Sequence, residues 1–567
     1  FIPTLSFSRE KASAGIAACV FSLAAAGFFC FNDPGVIKKG KVLFDEYYSD
    51  WEWTQKKLDT KWFGIQSVYN YYCFADFVNH FYSTETLKAT VTAERLSQCD
   101  VFIVKTPTRS FSENEIATIV NFVKNGGGLF LIGDHTNVFG TTMNINPLAE
   151  RFGLRFNYDS TYDLINLDLH FHEHNTLFRH PVIQNMPYFL FATSCSLDAP
   201  LSAEDVLIAS NLRTLYLDYS RGGFFPDKEK EKNYTFGLFL QSVGVTYGKG
   251  RVLTFADSTC FSNFYMYIPG KPEYTLGSIN WLNRINRYDV PVKAFCLLVM
   301  LLAAVSSIYL RIKSREANKN IAAVLLLGAL LGLSSGTLVC NFLAKKAYAL
   351  PDEHTPMKKV AFETEHCSFQ IPDRKLLHNP AFDYHTFYVW TQRLGFRPML
   401  FSLSDPHADY EMLVFVNPVK NFSPEEIRRL ESYVEQGGRV LVIDNPKSKN
   451  STAHQILAPF NIRIRYDQYQ ENAGLYEGTQ IAGTIASYAP VEGGEPLLIS
   501  DSQKVFCTKA TRGSGMLAAV ACSSSLTNEK MGETETVPNE QQQFLYKLEF
   551  WLLSGLMHKK YGPFTDF

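Results

Sequence analysis

The sequence lacks most of the short signatures that mark catalysis. Among its 11 cysteines there is no CxxC pair, and there is no Walker A loop, no G-x-G-x-x-G after a strand and no G-x-S-x-G elbow. It also lacks a basic excess. Lys and Arg total 54 against 56 Asp and Glu, so the electrostatic footprint of a nucleic-acid binder is missing and no nucleic-acid partner is expected. The cysteines form no regular framework. Cys19, Cys30, Cys296 and Cys340 lie in apolar runs and read as packing residues, while the other seven leave a disulfide or two open.

Long apolar runs are present instead. At 567 residues with 46% hydrophobic content, the chain exceeds one ordinary core and holds three runs long enough to cross a bilayer, which takes about 20 residues. They are Ser13 to Phe31, Ala294 to Leu310 and Ile321 to Lys345. No A-x-A site follows Phe31, so the first run is read as a retained anchor rather than a signal peptide. The loop RIKSREANKN between the second and third runs carries Arg311, Lys313, Arg315 and Lys319 and is expected on the cytoplasmic side. Three spans then put both large segments on the opposite, extracytoplasmic side of a bacterial inner membrane. Gly328, Gly332 and Gly336 repeat G-x-x-x-G in the third run, a face expected to pack against the second helix or a partner subunit.

The two large segments repeat each other. FSENEIATIVNFVKNGGGLFLIGD (Phe111 to Asp134) aligns without a gap to FSPEEIRRLESYVEQGGRVLVIDN (Phe422 to Asn445). In each, an S-x-x-E capping box (Ser112 with Glu115, Ser423 with Glu426) predicts a helix start, a Gly pair its end, and a short apolar run the strand that follows. Buried-looking strands, CDVFIVKTP and YEMLVFVNP, precede the helices, and this alternation predicts a parallel α/β sheet. A later pair, GRVLTFADSTCFSN (Gly250 to Asn263) and GMLAAVACSSSLTN (Gly515 to Asn528), closes each copy before an aromatic helical stretch. The spacing between matched blocks is longer in the first copy, which therefore holds an insertion.

Helix, Gly-Gly, apolar strand, polar tip and the late G-x-V-x-x-x-x-D-S-x-x-x-S-N block together resemble the class I glutamine amidotransferase-like superfamily. The nearer resemblance is to its non-catalytic branch, the gliding-motility and intraflagellar-transport (GIFT) and ThuA-like domains. The resemblance implies two flavodoxin-like domains on the three-helix anchor, and often an accessory role beside a transporter. It also implies no glutamine hydrolysis. At the elbow where that family carries its nucleophilic Cys, this chain has IGDHTN and IDNPKS, and Asp257-Ser258 and Cys522-Ser523 stand where its His-x-Glu pair would be. The domain reading is thus a cytoplasmic stub at 1–12, helices at 13–31, 291–311 and 321–344, a basic loop at 312–320, and domains at 32–290 and 345–567. The insertion falls at about 155–200.

Chemistry, if present, belongs to the first copy. Within the insertion, LDLHFHEHN alternates Asp168, His170, His172 and His174 with apolar and acidic residues, so a strand there would gather them on one face as ligands for Zn or Fe. A solvated hairpin is the competing reading, and no cofactor is the default expectation. Asp134 and His135 end the central strand, and Asp257 with Ser258 ends the late one. All four are candidate catalytic residues, and all four are equally good helix caps or loop braces. The second copy has Asn445, Pro446 and Cys522 in place of Asp134, His135 and Asp257.

The function expected from these features is a membrane-anchored, non-catalytic binding or scaffold subunit of an envelope assembly. Its expected partners are membrane subunits reached through the second and third helices, an ABC-type transporter, or a polysaccharide or other envelope component. The alternative is a metal-dependent hydrolase, or a carbohydrate-processing or carbohydrate-binding protein, with its site in domain one.

Overall fold

The computed structural model describes residues 9–164, 171–173, 180–220, 234–313, 321–368, 382–404, 409–477 and 480–564. It is a mixed α/β architecture with two large sheets and three long apolar helices.

The first sheet contains Lys41–Asp45 (β1), Ser83–Leu87 (β2), Val101–Lys105 (β3), Gly128–Ile132 (β4), Glu204–Tyr216 (β5), Tyr234–Tyr247 (β6) and Gly250–Phe255 (β7). Its parallel part runs β2-β1-β3-β4-β7, after which β6 and β5 continue antiparallel. The second sheet begins with Lys359–Glu363 (β8), Arg397–Phe401 (β9), Met412–Val416 (β10), Arg439–Ile443 (β11) and Gly515–Val520 (β12), in the parallel order β9-β8-β10-β11-β12. The same five-strand order therefore occurs twice. Strands β3, β4, β7, β10 and β12 are buried along their whole length, as sheets with helices on both faces require.

Local chemistry explains the matching elements. The helix Glu113–Lys124 is opened by Ser112, whose backbone N–H donates to Glu115 at 2.7 Å, and the helix Pro424–Glu435 by Ser423 and Glu426 at 2.7 Å. Each ends at a glycine in the left-handed region, Gly126 at φ 116° and Gly437 at φ 112°. The correspondence reaches the side chains. Tyr48 stacks on Phe111 at 3.9 Å and bonds the capping Glu115, while His366 stacks on Phe422 at 4.3 Å and lies 3.7 Å from the capping Glu426. The aromatic clusters YNYYCFADF and FSNFYMYIPG supply core residues, including Tyr71, Phe74, Phe77, Phe261 and Phe264.

The apolar helices span Arg9–Cys30, Asp289–Lys313 and Ile321–Ala347, each slightly longer than the sequence reading placed it. By length and composition all three suit a membrane. The glycine stripe does not face the second helix or wait for a partner, as the sequence suggested. It lies on the first helix, where a Cβ at Gly328 would collide with the carbonyl of Gly15, one at Gly332 with that of Cys19, and one at Gly336 with Ala26. Small residues on both helices permit that approach. Gly27 in turn faces Cys296 of the second helix, so the first helix lies between the other two.

The helix ends are tied to the first unit. The Asp33 carboxylate accepts the N–H groups of Arg287, Tyr288 and Asp289 at 2.7, 2.8 and 3.1 Å, capping the second helix from the end of the first. Buried Arg251 of β7 donates to the Asp33 carbonyl at 2.7 Å and to the Tyr348 hydroxyl at 2.8 Å, and buried Arg284 donates to the Ala347 carbonyl at 2.7 Å. The two units also meet directly. Arg393 sits 3.7 Å from the Trp390 ring and donates to the Asp59 and Trp62 carbonyls and to Ser67 Oγ.

Candidate functional site

Strands β1, β3, β4 and β7 end on one side of the first sheet, and a cavity of about 340 Å³ opens there. Ligands in open α/β sheets occupy this position, outside the carboxyl ends of the strands. The walls come from the loop after β1 (Trp51, Glu52, Trp53), the start of the following helical segment (Tyr69, Asn70), the tips of β3 and β4 (Thr106, Asp134, His135), the turn around Phe139, and Ser258 after β7. Thr193 of the insertion and Glu535 of the second unit complete it.

The backbone around this cavity is strained. Glu52, Thr106, Thr136, Asn137 and Phe139 have φ of 58°, 32°, 48°, 50° and 54°, five of the ten non-glycine residues at positive φ among the described residues. Such conformations cost of order 1–3 kcal/mol each and persist where surrounding structure over-determines them. Here the turn is tied by Asn137, whose Oδ1 accepts the Met143 N–H at 2.8 Å and whose amide donates to Asp218 at 2.9 Å.

Three of the four candidate residues meet at Asp134. Ser258 Oγ donates to Asp134 Oδ2 at 2.5 Å, and Asp134 Oδ1 accepts the His135 N–H at 2.7 Å. Burial pushes the Asp134 carboxyl up to about 7. The imidazole of His135 faces its own neighbours. Its Nδ1 lies 2.8 Å from Thr136 Oγ1, its Nε2 is 3.8 Å from Asp134, and burial pulls its imidazole down to about 4, leaving it neutral. Asp257 does not make the helix-cap bond expected of it. Its Oδ2 accepts the N–H groups of Ala192 and Thr193 at 2.7 and 3.0 Å, clamping the insertion over the strand tips. Burial, then the nearby Asp134, raises it to about 7.

The sequence reading missed Glu52, which accepts the Thr106 hydroxyl and which burial raises to about 7. It also missed Lys105, whose ammonium is fully buried beneath the cavity, donates to the Trp51 carbonyl at 3.2 Å and stands 3.9 Å from Glu46. No motif marks either one. Their positions, one at the tip of β3 and one in the loop after β1, were the only available signal.

The proposed ligand set Asp168, His170 and His174 lies outside the described residues. His172 falls in a short strand, Phe171–Glu173, opposite Phe189. Among the described residues, the acids Glu363 and Glu365 and the imidazole of His366 have ligand atoms within 4.8 Å of one another. Glu363 is already committed there, accepting the N–H groups of Glu365, His366 and Cys367 at 2.8 to 3.0 Å and facing His366 Nδ1 at 3.0 Å. Asp45 braces Tyr47 and Tyr48 in the same way in the first unit, so this cluster reads as a loop brace.

Residues 75–183, which include β3, β4, Asp134 and His135, match the family model of the IFT52 GIFT domain. The first unit contains a GIFT-like domain. Residues 384–536 of the second unit match a domain of unknown function, DUF4350. No curated protein sequence matches the chain. Among solved structures, it is similar to the mmIFT52 N-terminal domain at 14% identity, over 41% of this chain and 92% of that one, with a TM-score of 0.30. Others are the cytoplasmic protein STM3548 from Salmonella typhimurium (14% identity, 44% and 100% coverage, TM-score 0.26) and an exo-β-1,4-mannosidase from Opitutaceae bacterium strain TAV5 (14%, 40% and 39%, TM-score 0.26).

Proposed function

We propose that the chain is a membrane-anchored, non-catalytic binding and scaffold subunit of a larger envelope assembly, with a transporter as the class of partner. In this reading both units are amidotransferase-like domains of flavodoxin type, arranged in tandem outside the cytoplasmic face of a bacterial inner membrane. The observation that carries it is the tip of β4. Where the amidotransferase relatives carry a nucleophile, Asp134 is bonded to Ser258 and the neighbouring imidazole is turned to Thr136, an arrangement suited to holding a group rather than attacking one. The match of residues 75–183 to a GIFT domain supports the same reading.

The glycine stripe is spent on the first helix, so a membrane partner would meet the large apolar side chains left outward on the other two, such as Leu301, Val305, Leu330 and Phe342. The test is purification of the tagged full chain from its native membrane under mild detergent. One membrane protein recovered in constant ratio is the expected result. A chain that purifies alone and monodisperse overturns the proposal.

A further inference from the structure

The cavity of the first unit has a chemical bias. Four of its lining residues are acidic, Asp50, Glu52, Asp134 and Glu535, and none is Lys or Arg. Three of its hydroxyls are spent within the wall: Thr106 on Glu52, Ser258 on Asp134, and Thr141 on the Val138 carbonyl at 2.8 Å. Alongside the acids stands one open acceptor. Asn70 is 3% exposed, lines the cavity, and its Oδ1 has no hydrogen-bond partner. A buried acceptor left without a donor is costly, so a donor from outside is the missing element. The rim is aromatic, with Trp51 stacked on Phe139 at 4.4 Å and partly open to solvent, and with Trp53, whose ring the Lys56 ammonium already approaches at 5.8 Å. Indole faces attract cations.

We propose that this cavity binds an organic cation, a primary ammonium on an apolar stem, in the manner of a lysine side chain or a small alkylamine. The ammonium supplies three donors to Asn70 and to the carboxyls of Glu52 and Asp134, and the stem lies against Trp51 and Phe139. The volume admits a chain of that size. A neutral alcohol would bring one donor and no charge, and an anion would meet four acids.

Burial raises Glu52 and Asp134 to about 7, so the cation binds a site that must first ionise. The other charged groups near them are Lys105 beneath Glu52, Asp257 behind Ser258, Asp50 held by Arg109 at 2.7 Å, and Glu535 across the opening, together with the neutral His135, Tyr69 and Tyr71. A cation favours the ionised carboxyls, so binding releases protons and tightens as pH rises through 7.

This inference rests on the first unit being a binding rather than a catalytic module. The full chain in lipid nanodiscs is titrated with pentylamine, 1-pentanol and methyl glucoside, by calorimetry in buffers of different ionisation heat. Pentylamine is expected to bind about tenfold tighter at pH 8 than at pH 6, with about one proton released at pH 6 and little at pH 8, because one net ionisation of the neighbouring Glu52 and Asp134 carboxyls is enough to pair a single cation. Glu52→Gln, a half-buried loop residue, is expected to weaken binding about tenfold at pH 8. The variant's unchanged circular dichroism and melting temperature serve as the fold control. Equal binding of 1-pentanol, saturable binding of the glucoside without pH dependence, or no binding of pentylamine overturns the ligand class and leaves the assembly proposal to its own test. Chemical conversion of bound pentylamine overturns the non-catalytic reading while supporting the ligand class.

Discussion

The two sheets end in different ways on the same frame. Ile132 pairs with Phe255 and Ile443 with Val520, so Gly133 and Asp444 occupy equivalent positions one step past their strands. The third strand of each turns through a left-handed residue whose N–H bonds the neighbouring tip, Thr106 to Ile132 and Asn417 to Ile443. Beyond that point they diverge. In the second unit, Asp444 is closed off by Ser451 Oγ at 2.5 Å and by the Tyr466 hydroxyl, and Asn417 is held by Tyr384. In the first, the acid stands one residue later as Asp134 and lines an open cavity. The second unit has not lost its polar tip. It has shifted the carboxylate by one residue and satisfied it internally. A shared backbone thus serves as a plugged scaffold in one unit and an open site in the other.

The first way to break the comparison is at the opposite end of the sheet, where the units differ most in energy. Arg251 and Met516 are equivalent, pairing with Gly128 and Arg439 at the start of neighbouring strands. Arg251→Met removes donors from the Asp33 carbonyl, the Trp281 carbonyl, the Tyr348 hydroxyl and Asn286 Oδ1 at once. A loss of about 3 kcal/mol is expected, because the Trp281 carbonyl and Asn286 Oδ1 lose this donor, while the Asp33 carbonyl keeps only the one from the Tyr348 hydroxyl. Met516→Leu should cost less than about 1.5 kcal/mol, as a volume-conserving core change does. Unfolding of the solubilised chain by denaturant measures both. Equal costs would mean that Arg251 does not join the first unit to the helices.

The second test exchanges the tips. Asp134→Asn places in the first unit the residue that the second has at that register, Asn445. The Asp134 carboxyl is held near 7 against an ordinary value of 3.8, so the folded state binds its proton more tightly than the unfolded chain does. Stability is therefore lost as pH rises from about 4 to about 7, and the penalty is complete above that. Asp134→Asn should raise stability at pH 8 by on the order of 2 kcal/mol and change little at pH 4. Asp444→Asn should gain less, since that carboxyl reaches only about 6. Thermal melts at the two pH values decide the matter. A loss of stability at pH 8 for Asp134→Asn would mean that the carboxyl braces the tip rather than burdens it.

What could be read from sequence follows from how local each signal is. The capping boxes, the glycine helix ends and the three apolar helices need only a few neighbouring residues, and they stand near their expected places. The cavity needs residues from seven chain segments. Trp51, Glu52 and Asn70 sit in loops without a motif, and Glu535 reaches the rim from the second unit, more than four hundred residues beyond Asp134 in the chain order that a sequence scan follows. Asp134 and Ser258 were visible as polar strand tips, but their bond was not. Asp257 looked like a helix cap because Asp before a turn usually is one, yet the insertion's backbone claims it. The glycine stripe was legible as a packing face, while its partner, the first helix, is distant in sequence and carries its own small residues.

The smallest effect sharpens the part of the comparison in which the units agree. Ser112 and Ser423 cap equivalent helices, and Glu115 N–H reaches Ser112 Oγ at 3.4 Å while Glu426 N–H reaches Ser423 Oγ at 3.2 Å. Each Ser→Ala change should cost about 1 kcal/mol, the usual worth of such a cap. The two helices end alike and carry the same acidic first turn, so the costs should agree within about 0.5 kcal/mol, and the double variant should show their sum, since the sites share no partner. Denaturant titration followed by tryptophan fluorescence resolves differences of this size. Agreement would mean that the frame is energetically as well as geometrically repeated, leaving the tips as the place where the units part. A cost confined to one helix would mean that the resemblance stops at the backbone, because the same cap in the same setting must otherwise carry the same energy.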